Sequence, residues 1–496
     1  MNTMLQFIIA IISSLLFFCA NAQSNQSITI GKKETIQSVV LGEQRKLWIY
    51  TPSNTAAVAS PEKKYPVLYL LDGEAHFYST VGLVQQLSQA NGNGVLPEMI
   101  IVGIENTRRL RDLTPTSFAK NDLQNADPFV RFLSSELIPY IDQHYPTAPY
   151  KLLVGHSLGG LLGVHIMTQF PQIFNAIIAI DPSMWYGQQK FLENVMSSFP
   201  QLTLSGRKLF LGAANTMPKG MNLTQIAKDK STETQHLRSI LRLHDFLQKN
   251  KNGLQYAYRY YPNDRHNTVP LISIYDGLRY IFDYYTFDAG EKDFADSTIL
   301  IAQRIQSHYQ NISQKLGYQE RPPEAFIQYM GYDALSKQHF EKAGAFFAMN
   351  VENFPQSSQA WDAYGDYWAT RKDTLKAIEF YQRALQLHNS DNISRKIVSL
   401  SKQPSFQLTP QVLKKYAGTY VLEAYKIDIV LVLEDGKLIS KVPGQADSEF
   451  VPISQDVFTV KGKQGYTITF TMNGDRPAHF TSVQPNGTFK AVFKHE

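Results

Sequence analysis

Between residues 28 and 290 short, continuous apolar runs alternate with amphipathic helical patterns, and this alternation narrows the fold more than any other feature. The runs fall at 38–41, 47–50, 67–71, 99–104, 152–154, 176–180, 209–211 and 254–261. Helical periodicity lies between them, at 129–144, 161–170 and 237–248. A strand that is apolar at every position must be covered on both faces. Strands of that kind separated by helices predict a mainly parallel sheet with helices on both sides. The expected fold class is therefore α/β over residues 23–290, followed by two segments of different character.

Residues 291–403 read as helical throughout, with a repeat at a spacing of 34. Gly331 aligns with Gly365, Ala343 with Ala377 and Phe347 with Tyr381. Trp361, Gly365, Ala377 and Ala384 stand where a tetratricopeptide repeat places its packing residues. The alternative is an unrelated helical hairpin. Two visible repeats are fewer than a free-standing array needs. Residues 404–496 turn to short β-rich runs at 426–433, 437–442, 458–460, 466–472, 478–483 and 489–493. Glu434-Asp435-Gly436, Asn473-Gly474 and Asn486-Gly487 supply hairpin turns, so this segment is expected to form a small antiparallel barrel or sandwich.

The ends and composition bound the rest. Residues 7–18 are an apolar run closing at Ala20-Asn21-Ala22, a small-x-small cleavage pattern, although no Lys or Arg precedes it. Residues 1–22 are therefore expected to be a signal peptide, with the protein periplasmic or secreted from a bacterium and no membrane span after cleavage. The single cysteine, Cys19, lies in that leader, so the mature chain has no disulfide, thiol nucleophile or cysteine-bound metal. The net charge of +5 comes without a basic block, so nucleic acid is not expected as a partner.

The motif with chemistry is Gly155-His156-Ser157-Leu158-Gly159-Gly160, between a strand and a helix. That context is the one a nucleophile elbow requires. Small residues flank the serine because the turn is tight, and the helix N-terminus behind it offers free N–H groups. Ser157 is the candidate nucleophile, and the Leu158 N–H is placed to receive an oxyanion. The alternative is a helix-capping serine in a tight turn. A serine needs a base, and in this fold the histidine comes last. His266 follows the run 254–261 in Pro262-Asn263-Asp264-Arg265-His266-Asn267 and precedes a helical pattern. His236 and His244 read as surface or packing residues, and His76 and His156 stand in the wrong order for the base.

Residues 41–285 resemble the esterases of the α/β-hydrolase superfamily, which include siderophore esterases, esterase D-like enzymes and feruloyl or acetyl-xylan esterases. The resemblance rests on Tyr65-Pro66-Val67-Leu68-Tyr69-Leu70-Leu71-Asp72-Gly73-Glu74 and on residues 106–115, from Asn106-Thr107-Arg108-Arg109 to Thr114-Pro115. It rests also on the Ser157 elbow and on His266 with Asp276-Gly277-Leu278-Arg279. Residues 416–420 resemble the opening of lipocalin-like modules appended to some bacterial hydrolases. The esterase resemblance implies a second oxyanion donor, the Glu74 N–H. It also implies that Arg108 and Arg109 border a cleft where an anionic or hydroxyl-rich substrate is held, the alternative being a solvated loop. An acid is expected after the run 209–211, but Gly212-Ala213-Ala214-Asn215-Thr216-Met217 contains no carboxylate. Asp229 is taken as the acid, with Glu233 and Asp264 as fallbacks and a Ser–His dyad as the other arrangement.

The expected activity is hydrolysis of a small-molecule or glycan-linked carboxylic ester through an acyl-enzyme on Ser157, with no cofactor and no metal. Two alternatives stay open. One is a non-catalytic scaffold whose repeats bind a peptide, glycan or protein partner, and the other is acyl transfer by the same serine.

Overall fold

The structure is a computed structural model of the 496-residue chain, and it describes residues 28–52, 63–88, 90, 94–115, 128–401, 406–463, 465–485 and 487–494. The leader expected at 1–22 and Asn486 of the last hairpin turn lie outside the described residues. The chain folds as two compact units. The first holds the residues up to Phe287 with Ile312–Gln319, and the second holds Asp288–Asn311 with the residues from Glu320 onward. Among the described residues no helix is long and apolar enough to cross a membrane.

The first unit is built on eight strands: β1 Lys32–Ser38, β2 Glu43–Tyr50, β3 Tyr65–Leu70, β4 Ile100–Ile104, β5 Thr147–His156, β6 Ala176–Ile180, β7 Lys208–Ala214 and β8 Gln255–Tyr261. They lie in the order β1-β2-β4-β3-β5-β6-β7-β8. β1 pairs antiparallel with β2 and β2 with β4, while every later pair is parallel. Every residue of β3, β4, β6 and β7 is buried, which is why these strands are continuous apolar runs in the sequence. Each Val, Leu or Ile so buried contributes roughly 1.5–3 kcal/mol. β8 is an edge strand with exposed positions. The helices that frame the site are α1 Gly73–Ser88, α2 Arg109–Leu113, α3 Leu158–Gln169, α4 Gln235–Lys249 and α5 Val269–Ile281.

The run 38–41 is not a strand. β1 ends at Ser38, and the Val39 and Val40 amides each donate to Glu136 Oε1 at 2.9 Å. A distant carboxylate claims the N–H groups that a ladder would need, and Val39 is left exposed. The helix expected over 129–144 is interrupted by a π turn at Leu133–Leu137, just before Pro139, whose missing N–H breaks the ladder.

His165 on α3 packs beside Phe170 and Phe191, and burial lowers its pKa to about 4. Its ordinary value is about 6.5, so between these two limits the unfolded chain binds the extra proton. Stability from His165 is therefore complete above about pH 6.5 and declines as pH falls toward 4. His165→Leu is expected to flatten the pH dependence of urea unfolding over that window, by up to about 1.4 kcal/mol per pH unit. Parallel curves for the two proteins would reject the assignment.

In the second unit, helices α6 Glu324–Ser336, α7 Phe340–Asn353, α8 Ser358–Thr370, α9 Thr374–Leu387 and α10 Asp391–Ser401 pack in succession. A Cβ on Gly331 would come within 2.8 Å of the Phe347 ring, and one on Gly365 within 2.4 Å of Tyr381. The 34-residue spacing thus marks a small residue beneath an aromatic ring, twice over. The chain then closes an antiparallel barrel of β9 Gly418–Leu422, β10 Ile427–Glu434, β11 Lys437–Lys441, β12 Ser448–Ser454, β13 Val457–Val460, β14 Thr467–Asn473, β15 Arg476–Gln484 and β16 Gly487–Phe493. β12 is absent from the sequence reading because Pro452 argues against a strand. The structure accommodates it where the β12–β13 register shifts, between Pro452 and Ser454.

Candidate active site

Four loops leave the carboxyl ends of parallel strands β3, β5, β6 and β8 and converge. Ser157 follows β5 directly, with φ 59° and ψ −113°. A serine in that region of backbone space is strained, and the packing around it must hold it there. A Cβ on Gly155 would lie 2.3 Å from the Gly159 carbonyl oxygen, so only glycine permits the turn. The Ser157 amide donates to the Ile180 carbonyl at 2.9 Å, tying the elbow to β6. The Leu158 and Gly159 amides begin α3, where no intrahelical acceptor exists.

The β8–α5 loop carries His266 to the elbow. Its Nε2 lies 3.1 Å from Ser157 Oγ, and its Nδ1 donates to Asp181 Oδ2 at 2.5 Å. Asp181 is the first residue after β6 and is fully buried. Its Oδ1 accepts the Ala214 amide at 2.9 Å, and its Oδ2 also accepts His236 Nε2 at 2.9 Å. Burial alone would raise the Asp181 carboxyl, but the hydrogen bonds from His236 and His266 outweigh it and hold the group well below the usual carboxylate range. An ionised carboxylate between two imidazole N–H groups leaves His266 Nε2 as an acceptor for the serine proton.

Asp229 does not reach this cluster. It ends the short helix Leu223–Lys228, and its Oδ2 accepts the Ser231 hydroxyl, the Ser231 amide at 3.0 Å and the Thr234 hydroxyl at 2.6 Å. The carboxylate on His266 is that of Asp181, one strand earlier than expected. The position after β7 is used differently: Asn215 Nδ2 donates to the Pro262 carbonyl at 2.8 Å and its amide to the Asp264 carbonyl at 2.8 Å. Asn215 therefore holds the histidine loop rather than supplying the acid. Asp264 meets this contact through its backbone.

The loop after β3 enters α1. Gly73 abuts β4 so closely that a Cβ would lie 2.6 Å from the Gly103 carbonyl carbon. The Ala75 and His76 amides donate to the Asp72 carbonyl, and the Gly73 and Glu74 amides precede them at the helix N-terminus. Asp72, with φ 52°, accepts Arg109 Nε at 2.6 Å, Arg109 Nη2 at 3.1 Å and Asn106 Nδ2 at 2.7 Å. Arg109 Nη2 also donates to the His156 carbonyl at 3.3 Å. Arg109 was expected to hold substrate, yet its fork is engaged by Asp72 and by the residue before the nucleophile. It clamps the loop carrying Glu74 to the elbow. Arg108, beside it, is exposed. Asp112 anchors the same segment through an ion pair at 2.6 Å with Arg45, both almost fully buried. Arg109→Ala is expected to lower kcat about 10–100-fold with little change in KM, because the donors shift relative to the serine. Steady-state kinetics on a soluble ester checks this, and an effect confined to KM would restore the substrate-binding reading.

The sequence reading missed Asp181, His236 and Ser183. The Asp181-Pro182-Ser183 turn carried a signal, a carboxylate directly after an apolar strand, but after β6 rather than β7. Ser183 Oγ lies 3.1 Å from Ser157 Oγ, and its amide donates to the Ser157 carbonyl at 3.1 Å. His156 packs its ring 4.5 Å from that of His266. Burial, then the neighbouring His266, lowers its pKa to about 4, so it forms a neutral wall. The donor atoms of Asp181, His236 and His266 lie within 4.8 Å of one another, the spacing of a metal-binding group. Both histidines already direct protons to one carboxylate oxygen, and a cation would have to displace them.

Residues 38–209 match the model of the esterase family described as "Putative esterase". The siderophore triacetylfusarinine C esterase of Aspergillus fumigatus is 31% identical over 24% of this chain and 45% of its own length. The ferri-bacillibactin esterase BesA of Bacillus subtilis is 28% identical over 35% of this chain and 66% of its own. The chain thus spans about half to two thirds of the length of these curated relatives. Among solved structures, the IroE-like serine hydrolase from Shewanella oneidensis is similar at a TM-score of 0.52 and 27% identity, covering 65% of this chain and 99% of that one.

Proposed function

We propose that this chain is a serine hydrolase of carboxylic esters that works through an acyl-enzyme on Ser157. The observation that carries the reading is the unbroken relay from Ser157 Oγ to His266 Nε2 at 3.1 Å and from His266 Nδ1 to Asp181 Oδ2 at 2.5 Å. His266 takes the serine proton as Ser157 attacks the ester carbonyl. Asp181 keeps the imidazole in the tautomer that can accept, and stabilises the imidazolium that forms. The Leu158 and Glu74 amides, each in the first turn of a helix, donate to the oxyanion of the tetrahedral intermediate. His266 then protonates the leaving alcohol and activates water, which releases the acid and regenerates Ser157.

For substrate we propose the ester bonds of siderophores. Two relatives named for such esters support this, as does the likeness to an IroE-like hydrolase. A fluorophosphonate probe is expected to label the full chain at Ser157, located by mass spectrometry of the modified peptide. An ester panel comparing siderophore lactones with acetylated and feruloylated glycans then tests the substrate class. A chain that stays unlabelled, and is inactive on every ester, would favour the scaffold reading.

A further inference from the structure

The C-terminal barrel is filled at one end and hollow at the other. At the filled end Tyr416, Tyr420, Phe458 and Phe470 pack ring against ring, with centroids 4.8–5.9 Å apart. The Tyr416 hydroxyl donates to Asp456 Oδ1 at 2.8 Å, and the Tyr420 hydroxyl to the Tyr416 carbonyl at 2.8 Å. The polar atoms of this half are thus satisfied from within the barrel.

The other half encloses a cavity of about 340 Å³. An eight-stranded barrel is wide enough either to pack its interior with side chains or to hold one small ligand, and 340 Å³ falls at the lower end of small-molecule sites. Phe450, Ile468 and Phe480 form apolar walls. Set among them are the hydroxyls of Ser440 and Ser482, side chains only 5% and 3% exposed. Ser482 Oγ accepts Gln484 Nε2 at 2.9 Å. Ser440 Oγ faces the cavity with no protein partner among the described residues. This hydroxyl is open to the cavity and can both donate to and accept from a polar atom of a ligand. At the mouth, Tyr425 is 62% exposed, and Lys463 Nζ lies 5.5 Å from the centre of the Tyr466 ring. Among the described residues, Lys463 is the only Lys or Arg lining the cavity, and no Asp or Glu lines it.

Aromatic walls select a flat ring, the inner hydroxyl a polar substituent on it, and the rim cation an anionic end. We propose that the barrel binds an aryl carboxylate bearing a ring hydroxyl, with its ring against the Phe450 and Phe480 wall, its hydroxyl at Ser440 and its carboxylate toward Lys463. This proposal does not depend on the hydrolase reading, because no ester and no turnover enters its test.

The test is isothermal titration of the full chain with 4-hydroxycinnamate, cinnamate and 4-hydroxycinnamyl alcohol. The first is expected to bind one-to-one and about 10-fold more tightly than either of the others. Lys463→Glu, an exposed change that leaves the barrel interior intact, should weaken 4-hydroxycinnamate about 10-fold and leave the alcohol unchanged. Ser440→Val should bring 4-hydroxycinnamate down to the affinity of cinnamate, and Ser440→Phe, which fills the cavity, should abolish binding of all three. If Ser440→Phe fails to fold, the Lys463→Glu and Ser440→Val titrations decide alone. No heat of binding at millimolar 4-hydroxycinnamate, or affinities that neither Lys463→Glu nor Ser440→Val alters, would overturn the proposal.

Discussion

Asp181→Asn is expected to lower kcat/KM on p-nitrophenyl acetate by about 10⁴-fold, while Asp229→Ala leaves it within about twofold. The two substitutions separate the acid that the structure places on His266 from the one that strand order suggests. An amide at position 181 can donate where the carboxylate accepted. His266 Nδ1 and His236 Nε2 both approach Asp181 Oδ2, at 2.5 and 2.9 Å, so both lose a charged acceptor. His266 then turns to the tautomer whose Nε2 carries the proton, and it can no longer take one from Ser157. Asp229 is engaged away from the site, by Ser231 and Thr234 on its own turn and by Arg238 at 3.8 Å. Equal loss in both variants, or loss in Asp229→Ala alone, would refute the Asp181 assignment.

Ser157→Ala is expected to cost on the order of 10⁴-fold or more of turnover and to abolish fluorophosphonate labelling. The oxyanion donors survive this change, since Leu158 and Glu74 contribute backbone N–H groups. The residual rate is therefore what those donors and substrate binding supply without a nucleophile. Folding should be little affected: among the described residues Ser157 Oγ is hydrogen-bonded only to His266 and Ser183, both at 3.1 Å. A Ser157→Ala protein with undiminished turnover would end the acyl-enzyme proposal, and comparison of its circular dichroism with the parent separates chemical loss from misfolding.

The elements that were legible are those whose cause is local. β3, β4, β6 and β7 are buried on both faces, so apart from Lys208 at the start of β7, which pairs with Asp283, they had to be apolar, and that pattern survives in one dimension. The elbow was legible because its backbone demands glycine at 155, two residues before the serine. Where local pattern misled, a partner distant in sequence had decided the outcome. The run 38–41 looks like a strand until Glu136 caps its amides. Arg109 looks like a free cleft cation until Asp72 occupies its fork. β12 was hidden because Pro452 argues against a strand unless a register shift absorbs it.

The sequence by itself determined the α/β architecture, the position of Ser157 on its turn and the late histidine loop, because each depends on residues within one strand–loop–helix unit. Only the tertiary structure decided which carboxylate serves His266. Asp181 and His266 are 85 positions apart and meet because β6 and β8 end on the same edge of the sheet, while Asn215, at the end of β7 between them, holds the loop in place. A side chain's role there is set by what lies across the sheet from it, and that distance is not written along the chain.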